Sequence, residues 1–183
     1  FDTAHGMVVV LGCAHAGVMN TLQHVQRLTD NRPIHTVMGG MHLVAASPER
    51  MDRTVEELRR IGVNRLSIGI QSFVDQELKT LSRIHDAAQA EQAIVQARQA
   101  GFDNLALDFI FAIPGQTLAT LARSLHKAIS FAPEHLSCYS LTVEKETPLA
   151  AAVAGGELHT LEEEEEAALL IQSKTILESA GYE

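Results

Sequence analysis

Residues 100–117 read AGFDNLALDFIFAIPGQT, and the order of events along them decides the fold. Gly101 stops the helix before it, because glycine takes the closing position of a helix without a side-chain penalty. Leu105 to Ala112 is an apolar run of strand length, the pattern of a buried strand in a parallel sheet. Pro114-Gly115 turns the chain, and Thr117 offers a hydroxyl that caps the next helix. Helix end, strand, turn and helix start in this order make one link of a βαβ chain.

The same order recurs on both sides of this stretch. Toward the N-terminus, Leu66 to Ile70 reads as a strand, Asp75 to Leu81 as a short helix, and Asp86 caps a helix that runs to Ala100. Further back, Met7 to Leu11 and Ile34 to Met38 are apolar strands. Between them Val18, Leu22, Val25 and Leu28 recur at helical spacing. Ser47 followed by Pro48 is an N-cap with proline at the first helical position. Met51, Val55, Leu58 and Ile61 then share one face, and Gly62 stops that helix. Toward the C-terminus, His135 to Val143 reads as the fifth strand. Thr160 with Glu163 reads as a capping box for a last helix, whose first turns hold the acid run Glu162 to Glu166. The expectation is an α/β fold: about five mainly parallel strands alternating with helices, as a partial βα barrel or an open sheet.

Composition narrows the function classes. The 183 residues carry a net charge of −9 and no Trp, which speaks against a nucleic-acid groove or a base-stacking platform. No apolar run reaches membrane-spanning length, and a cytoplasmic location is expected. The two cysteines, Cys13 and Cys138, are far apart and form no metal-ligand spacing, so a disulfide framework is not expected either. The chain opens at Phe1 and stops at Glu183 just after Gly181, which reads as a piece of something longer.

In an α/β fold of this kind, functional residues gather where strands end. Gln71-Ser72 follows one strand, Arg83 sits one short helix later, and Asp108 interrupts the apolar strand that leads to Pro114-Gly115-Gln116-Thr117. A carboxylate inside a strand needs a partner. For Asp108 the residues leave two readings open: an internal pair, with Arg83 as a candidate, or a ligand's hydroxyl or ammonium group.

The stretches GVNRLSIGIQSF (62–73), LSRIHDAAQAEQAI (81–94), AGFDNLALDFIFAIPGQT (100–117) and PEHLSCYSLTVEKETPL (133–149) together resemble the coproporphyrinogen-oxidase-like radical S-adenosylmethionine proteins, including the haem chaperones. The resemblance covers about two thirds of the chain, from Gly62 onward. It implies S-adenosylmethionine as cofactor, with Gln71, Arg83 and Asp108 at the positions that contact it and Ser140 and Tyr139 lining the same face. It also implies haem or a porphyrin as partner. Arginine suits the methionine carboxylate, while glutamine and aspartate suit hydroxyl or amino groups. The family's 4Fe-4S cluster needs a CxxxCxxC-type loop, and neither Cys13 nor Cys138 lies in one. The expectation is therefore a fragment without a cluster of its own, inactive in radical chemistry, and prone to self-association through exposed sheet edges and apolar patches.

Residues 1–61 resemble a different family. GMVVVLGCAHAGVMNTL and IHTVMGGMHLVAASPERMDRTVEELRRIG are similar to the later portion of metallo-β-lactamase-fold hydrolases, which implies His15 and His42 as metal positions, with zinc the natural ion. Strand-end histidines facing solvent or a loop carbonyl are the preferred alternative. The two resemblances meet near Glu57 to Asn64, so a chimera of two families, or one continuous α/β domain, is expected. The competing readings are a metal-dependent hydrolase fragment and a structural or engineered chimera with no native ligand.

Overall fold

The computed structural model describes residues 1–13, 17–40 and 48–183. Its elements are β1 (Asp2–Thr3), β2 (Gly6–Cys13), α1 (Val18–Leu28), β3 (Ile34–Gly40), α2 (Pro48–Arg60), β4 (Arg65–Gln71), α3 (Asp75–Thr80), α4 (Ala87–Gln99), β5 (Asn104–Phe111), α5 (Leu118–Ser130), β6 (His135–Ser140), α6 (Pro148–Ala154) and α7 (Glu163–Ser179). The α/β alternation expected from the sequence is present. The strands hydrogen-bond in two groups of three, β1-β2-β3 and β4-β5-β6. β2 runs parallel to β3, and β5 parallel to β6, while β1 is a short antiparallel addition to β2 that the apolar pattern did not announce. Two residues are too few to show a period.

The chain forms two compact units. The first comprises residues 1–66 and 95–103. Its core holds Val9, Leu11, Val18, Leu22, Val55 and Leu58, the periodic positions of the strand and the two helices. Leu28 shares that period yet is 71% exposed, because it is the last residue of α1 and projects past the covered face. Gly6 closes the turn from β1 with φ +124°, and a Cβ there would stand 2.7 Å from the Pro33 carbonyl oxygen, so only glycine fits.

The second unit comprises residues 67–94 and 104–183. In β5, Leu105, Leu107, Phe109 and Phe111 are buried, while Asp108 and Ile110 are not fully covered. α5 packs on α7, and α7 on β5 and β6. Phe73 closes this layer against Phe109 and Phe131, with ring centroids 5.7 and 6.2 Å away. Burying side chains of this size stabilises by about 1.5–3 kcal/mol each.

Two boundaries and one helix depart from the sequence expectation. β6 ends at Ser140 and does not reach Val143. The N-cap of α7 is Glu162, whose side chain accepts from the backbone while Glu165 reaches back to the Glu162 amide, so the capping box lies two residues beyond the expected Thr160–Glu163 pair. A carboxylate can serve as the cap acceptor as a hydroxyl does, and the acid run offered several registers. α6 was not expected, although Thr147-Pro148 carries the same cap-and-proline signal as Ser47-Pro48.

Candidate functional site

Parallel pairing of β5 with β6 decides which side chains share a face. Asp108 stands opposite Ser137 and Ile110 opposite Tyr139, whereas Phe109 and Phe111 stand opposite Cys138 and Ser140. Side chains alternate along a strand, so Asp108, Ile110, Ser137 and Tyr139 point to one side and Phe109, Phe111, Cys138 and Ser140 to the other. The first side is open: Tyr139 is 46% exposed. The second side meets the helices. On β4, Ser67 and Gly69 belong to the open side, while Ile70 is buried on the other.

Asp108 has a partner, and it is not Arg83. Ser67 Oγ donates to Asp108 Oδ2 at 2.9 Å, across from β4 to β5. A hydroxyl satisfies one carboxylate lone pair without neutralising the charge. Arg83 makes no ion pair with Asp108, but both charges act on Tyr139. Partial burial and the negative charge of Asp108 hold the Tyr139 phenol above its ordinary range, and the positive charge of Arg83 pulls it the other way. Arg83 itself is exposed, one residue after Ser82, which has φ +54°. Asp108 and Arg83 therefore both lie within electrostatic reach of Tyr139.

Gln71 reaches the same side by folding back. It has φ +68°, and the Ser72 amide donates to the Ile70 carbonyl at 2.9 Å, closing a three-residue turn on Gln71 in its rare, strained form. The amide nitrogen of its side chain lies over Gly69, where a Cβ would be only 2.7 Å away. Gly69 thus leaves the space that Gln71 occupies. The other end of that amide, Oε1, is buried and has no hydrogen-bond partner. An orphaned acceptor costs about 1–3 kcal/mol until something donates to it.

Ser140 does not belong with these residues. It stands in register with Phe111 on the helix side, and its hydroxyl donates to Glu166 of α7. The single-residue step from Tyr139 to Ser140 crosses the sheet, which corrects the expectation that both line one face. It also gives Glu166, part of the acid run, a specific job. Cys138 is likewise on the helix side, and burial pushes its thiol up to about 11. It is a half-buried, protonated thiol and no ready metal ligand.

Sequence reasoning passed over a buried polar cluster behind Gln71. Ser72, Glu77, Gln116 and Ser124 are all at least nine-tenths buried. The signal was available as Ser72, Glu77 and Gln116 beside the turn residues, but only tertiary packing makes them neighbours.

His15 and His42 lie outside the described residues. Among the described residues, no group of three or more His, Cys, Asp or Glu side chains is placed to hold a metal ion. An iron-sulfur cluster does not fit the thiols present: the chain has two cysteines, fewer than the thiolates a cluster needs, and the half-buried Cys138 thiol is pushed up to about 11.

Comparison with known proteins gives this face a context. The sequence pattern of the radical SAM superfamily matches residues 19–128. The heme chaperone HemW of Bacillus subtilis (strain 168) is 38% identical over 134 residues, 72% of this chain and 35% of that protein. HemW of Escherichia coli (strain K12) is 43% identical over 96 residues, 52% of this chain and 25% of that one. The radical S-adenosyl methionine domain-containing protein 1, mitochondrial, of Mus musculus is 36% identical over 121 residues, 66% of this chain and 27% of that one. Among solved structures, coproporphyrinogen III oxidase (HemN) from Escherichia coli superposes with a TM-score of 0.71 at 20% identity, covering 95% of this chain and 41% of that one. The chain thus spans between a quarter and about a third of the curated relatives named here.

These matches lend no support to a family boundary at Gly62. The superfamily pattern spans residues 19–128, on both sides of Glu57 to Asn64, and the oxidase fold covers nearly the whole chain. A join of two families there, and a metallo-β-lactamase origin for residues 1–61, find no support in them. With its superfamily pattern over well more than half its length and a barrel-type relative in fold, the chain belongs to the radical SAM superfamily.

Proposed function

We propose that this chain is the S-adenosylmethionine-binding βα segment of a protein of haem or porphyrin handling, and that its own residues do not carry radical chemistry. Two observations support the reading: Asp108 and Arg83 both act on Tyr139, and the Gln71 amide, folded over Gly69 on the same side of the sheet, has a buried Oε1 that lacks a donor. S-adenosylmethionine offers the complementary groups: a carboxylate for the Arg83 guanidinium, an ammonium for Asp108 or for Gln71 Oε1, and ribose hydroxyls for either. Tyr139 and Ile110 add an aromatic and an aliphatic surface beside them. The bound cofactor supplies the reactive sulfonium; this chain binds and orients it, and the thiolates for a cluster have to come from elsewhere. The similarity to heme chaperones supports haem or a porphyrin as the partner of the complete protein. The scarcity of cysteine supports a reducing cytoplasm.

Calorimetric titration with S-adenosylmethionine tests this reading. Hydrogen bonds to charged groups are worth about 1.5–3 kcal/mol, so Asp108→Ala should weaken binding by roughly tenfold to a hundredfold. Wild-type protein that takes up no ligand at millimolar concentration ends the proposal. Val10, Leu170 and Ile171 are exposed apolar residues that support self-association, and sedimentation that stays monomeric at high protein concentration removes that part.

A further inference from the structure

Gln71 is held in a conformation that few residues adopt, and the holding groups are visible. Immediately after it, three consecutive residues are fixed. Ser72 Oγ donates to Glu77 Oε2 at 2.6 Å, the Phe73 amide to Ser124 Oγ at 3.1 Å, and the Val74 amide to Ser72 Oγ at 3.0 Å. Immediately before it, the Ile70 carbonyl accepts from the Ser72 amide and lies 3.2 Å from His85 Nε2, which must carry the proton because a carbonyl only accepts. Strained backbone persists only where its surroundings over-determine it.

Glu77 stands at the centre of that arrangement. It is 4% exposed, and among the described residues no Lys or Arg forms an ion pair with it. Its Oε2 accepts from both Ser72 and Gln116 Nε2, the latter at 3.0 Å. Gln116 belongs to the loop after β5, so one oxygen ties the loop after β4 to the loop after β5. A buried carboxylate without a cation is expensive merely for packing. Its Oε1 and the Oε1 of Gln116 are both buried without a partner.

From this geometry we infer that Glu77 is a positioning residue for Gln71: through Ser72 it keeps the turn at Gln71 strained and the Gln71 amide presented over Gly69 to the ligand. The inference deepens the S-adenosylmethionine reading and rests on it for the identity of the ligand. It makes an unusual demand on the conservative variant. In Glu77→Gln the remaining oxygen still accepts from Ser72 and Gln116, and the new amide nitrogen can donate to the orphaned Gln116 Oε1. Glutamine should therefore rescue what alanine destroys.

The test uses the full 183-residue chain and two readouts. Without ligand, the backbone carbon shifts of Gln71 distinguish a left-handed from an extended residue. They should stay at the wild-type values in Glu77→Gln and move toward extended values in Glu77→Ala and Ser72→Ala. If Glu77→Ala does not fold, Ser72→Ala decides, and unmoved Gln71 shifts in that variant overturn the inference. With S-adenosylmethionine as probe, Glu77→Ala should weaken binding about tenfold, as expected when a strained conformer is no longer held. Glu77→Gln should bind as wild type, and Glu77→Ala should cost nothing further in a Gln71→Ala background. Losses that add in the double variant overturn the inference, because Glu77 would then act independently of Gln71. A Gln71→Ala protein that binds as wild type refutes the ligand role of Gln71 instead, and the carbon shifts still judge the hold of Glu77 on the turn.

Discussion

The two faces of the β4-β5-β6 sheet are built from neighbouring residues and obey opposite rules. On the helix side, Leu105, Leu107, Phe109 and Phe111 are buried, and even the polar Ser140 is tied down by Glu166. On the open side, Asp108 is met by a single hydroxyl, Tyr139 is half exposed, and Gln71 carries an acceptor with nothing to accept from. One face has spent its interactions inside the chain, and the other has kept some unmade. The difference teaches where stability and binding reside, and because the strand alternates, a step of one residue passes from one to the other.

The largest effect should come from that step along β5. Phe109→Ala should lower stability by about 3–5 kcal/mol, while Asp108→Ala next to it should cost less than about 1 kcal/mol, measured by denaturant unfolding. Equal losses at the two positions would break the division between the faces. A smaller contrast lies on β6. Ser140→Ala removes the hydrogen bond to α7 and should cost about 1 kcal/mol of stability, yet leave S-adenosylmethionine affinity unchanged. A loss of affinity there would return Ser140 to the ligand face.

The smallest effect sharpens the open side itself. The chain has two tyrosines and no Trp, so in a Tyr182→Phe background the absorbance of the phenolate reports Tyr139 alone. The negative charge of Asp108 disfavours the phenolate, so Asp108→Asn should lower the Tyr139 pKa; Arg83 favours it, so Arg83→Ala should raise the pKa. Burial remains the larger cause of the upward shift and should survive both changes. Shifts in the wrong directions would mean that the three side chains do not share one electrostatic neighbourhood.

Much of this was legible without coordinates. Apolar spacing and apolar runs alone placed α1, β4 and β5 within a residue or two, because such patterns are imposed by the geometry of each element. Thr117 was readable as the cap of α5, since its hydroxyl bonds the amide of Thr120. The end of β6 was not, because Leu141 to Val143 keep a strand-like pattern and only the extent of β5 limits the pairing. Gln71 after a strand, Arg83 one short helix later and Asp108 within an apolar strand stand out in the sequence as polar residues. That Asp108 answers to Ser67 was invisible, since the two are 41 residues apart and meet only through the register of β4 and β5.

The sequence by itself determined the succession of strands and helices and the identity of the polar residues near the strand ends, because these follow from local spacing and side-chain chemistry; the superfamily is carried by the likeness of its motifs to known relatives. Tertiary structure alone decided the rest. Register sent Ser140 to the helices and Tyr139 to the open face. Packing buried Glu77 beside Gln116, and together they hold a strained turn at Gln71. The physical reason is common to all of these: a residue's neighbours along the chain fix its element, but only the pairing of distant strands fixes which side of the sheet it faces and what it meets there.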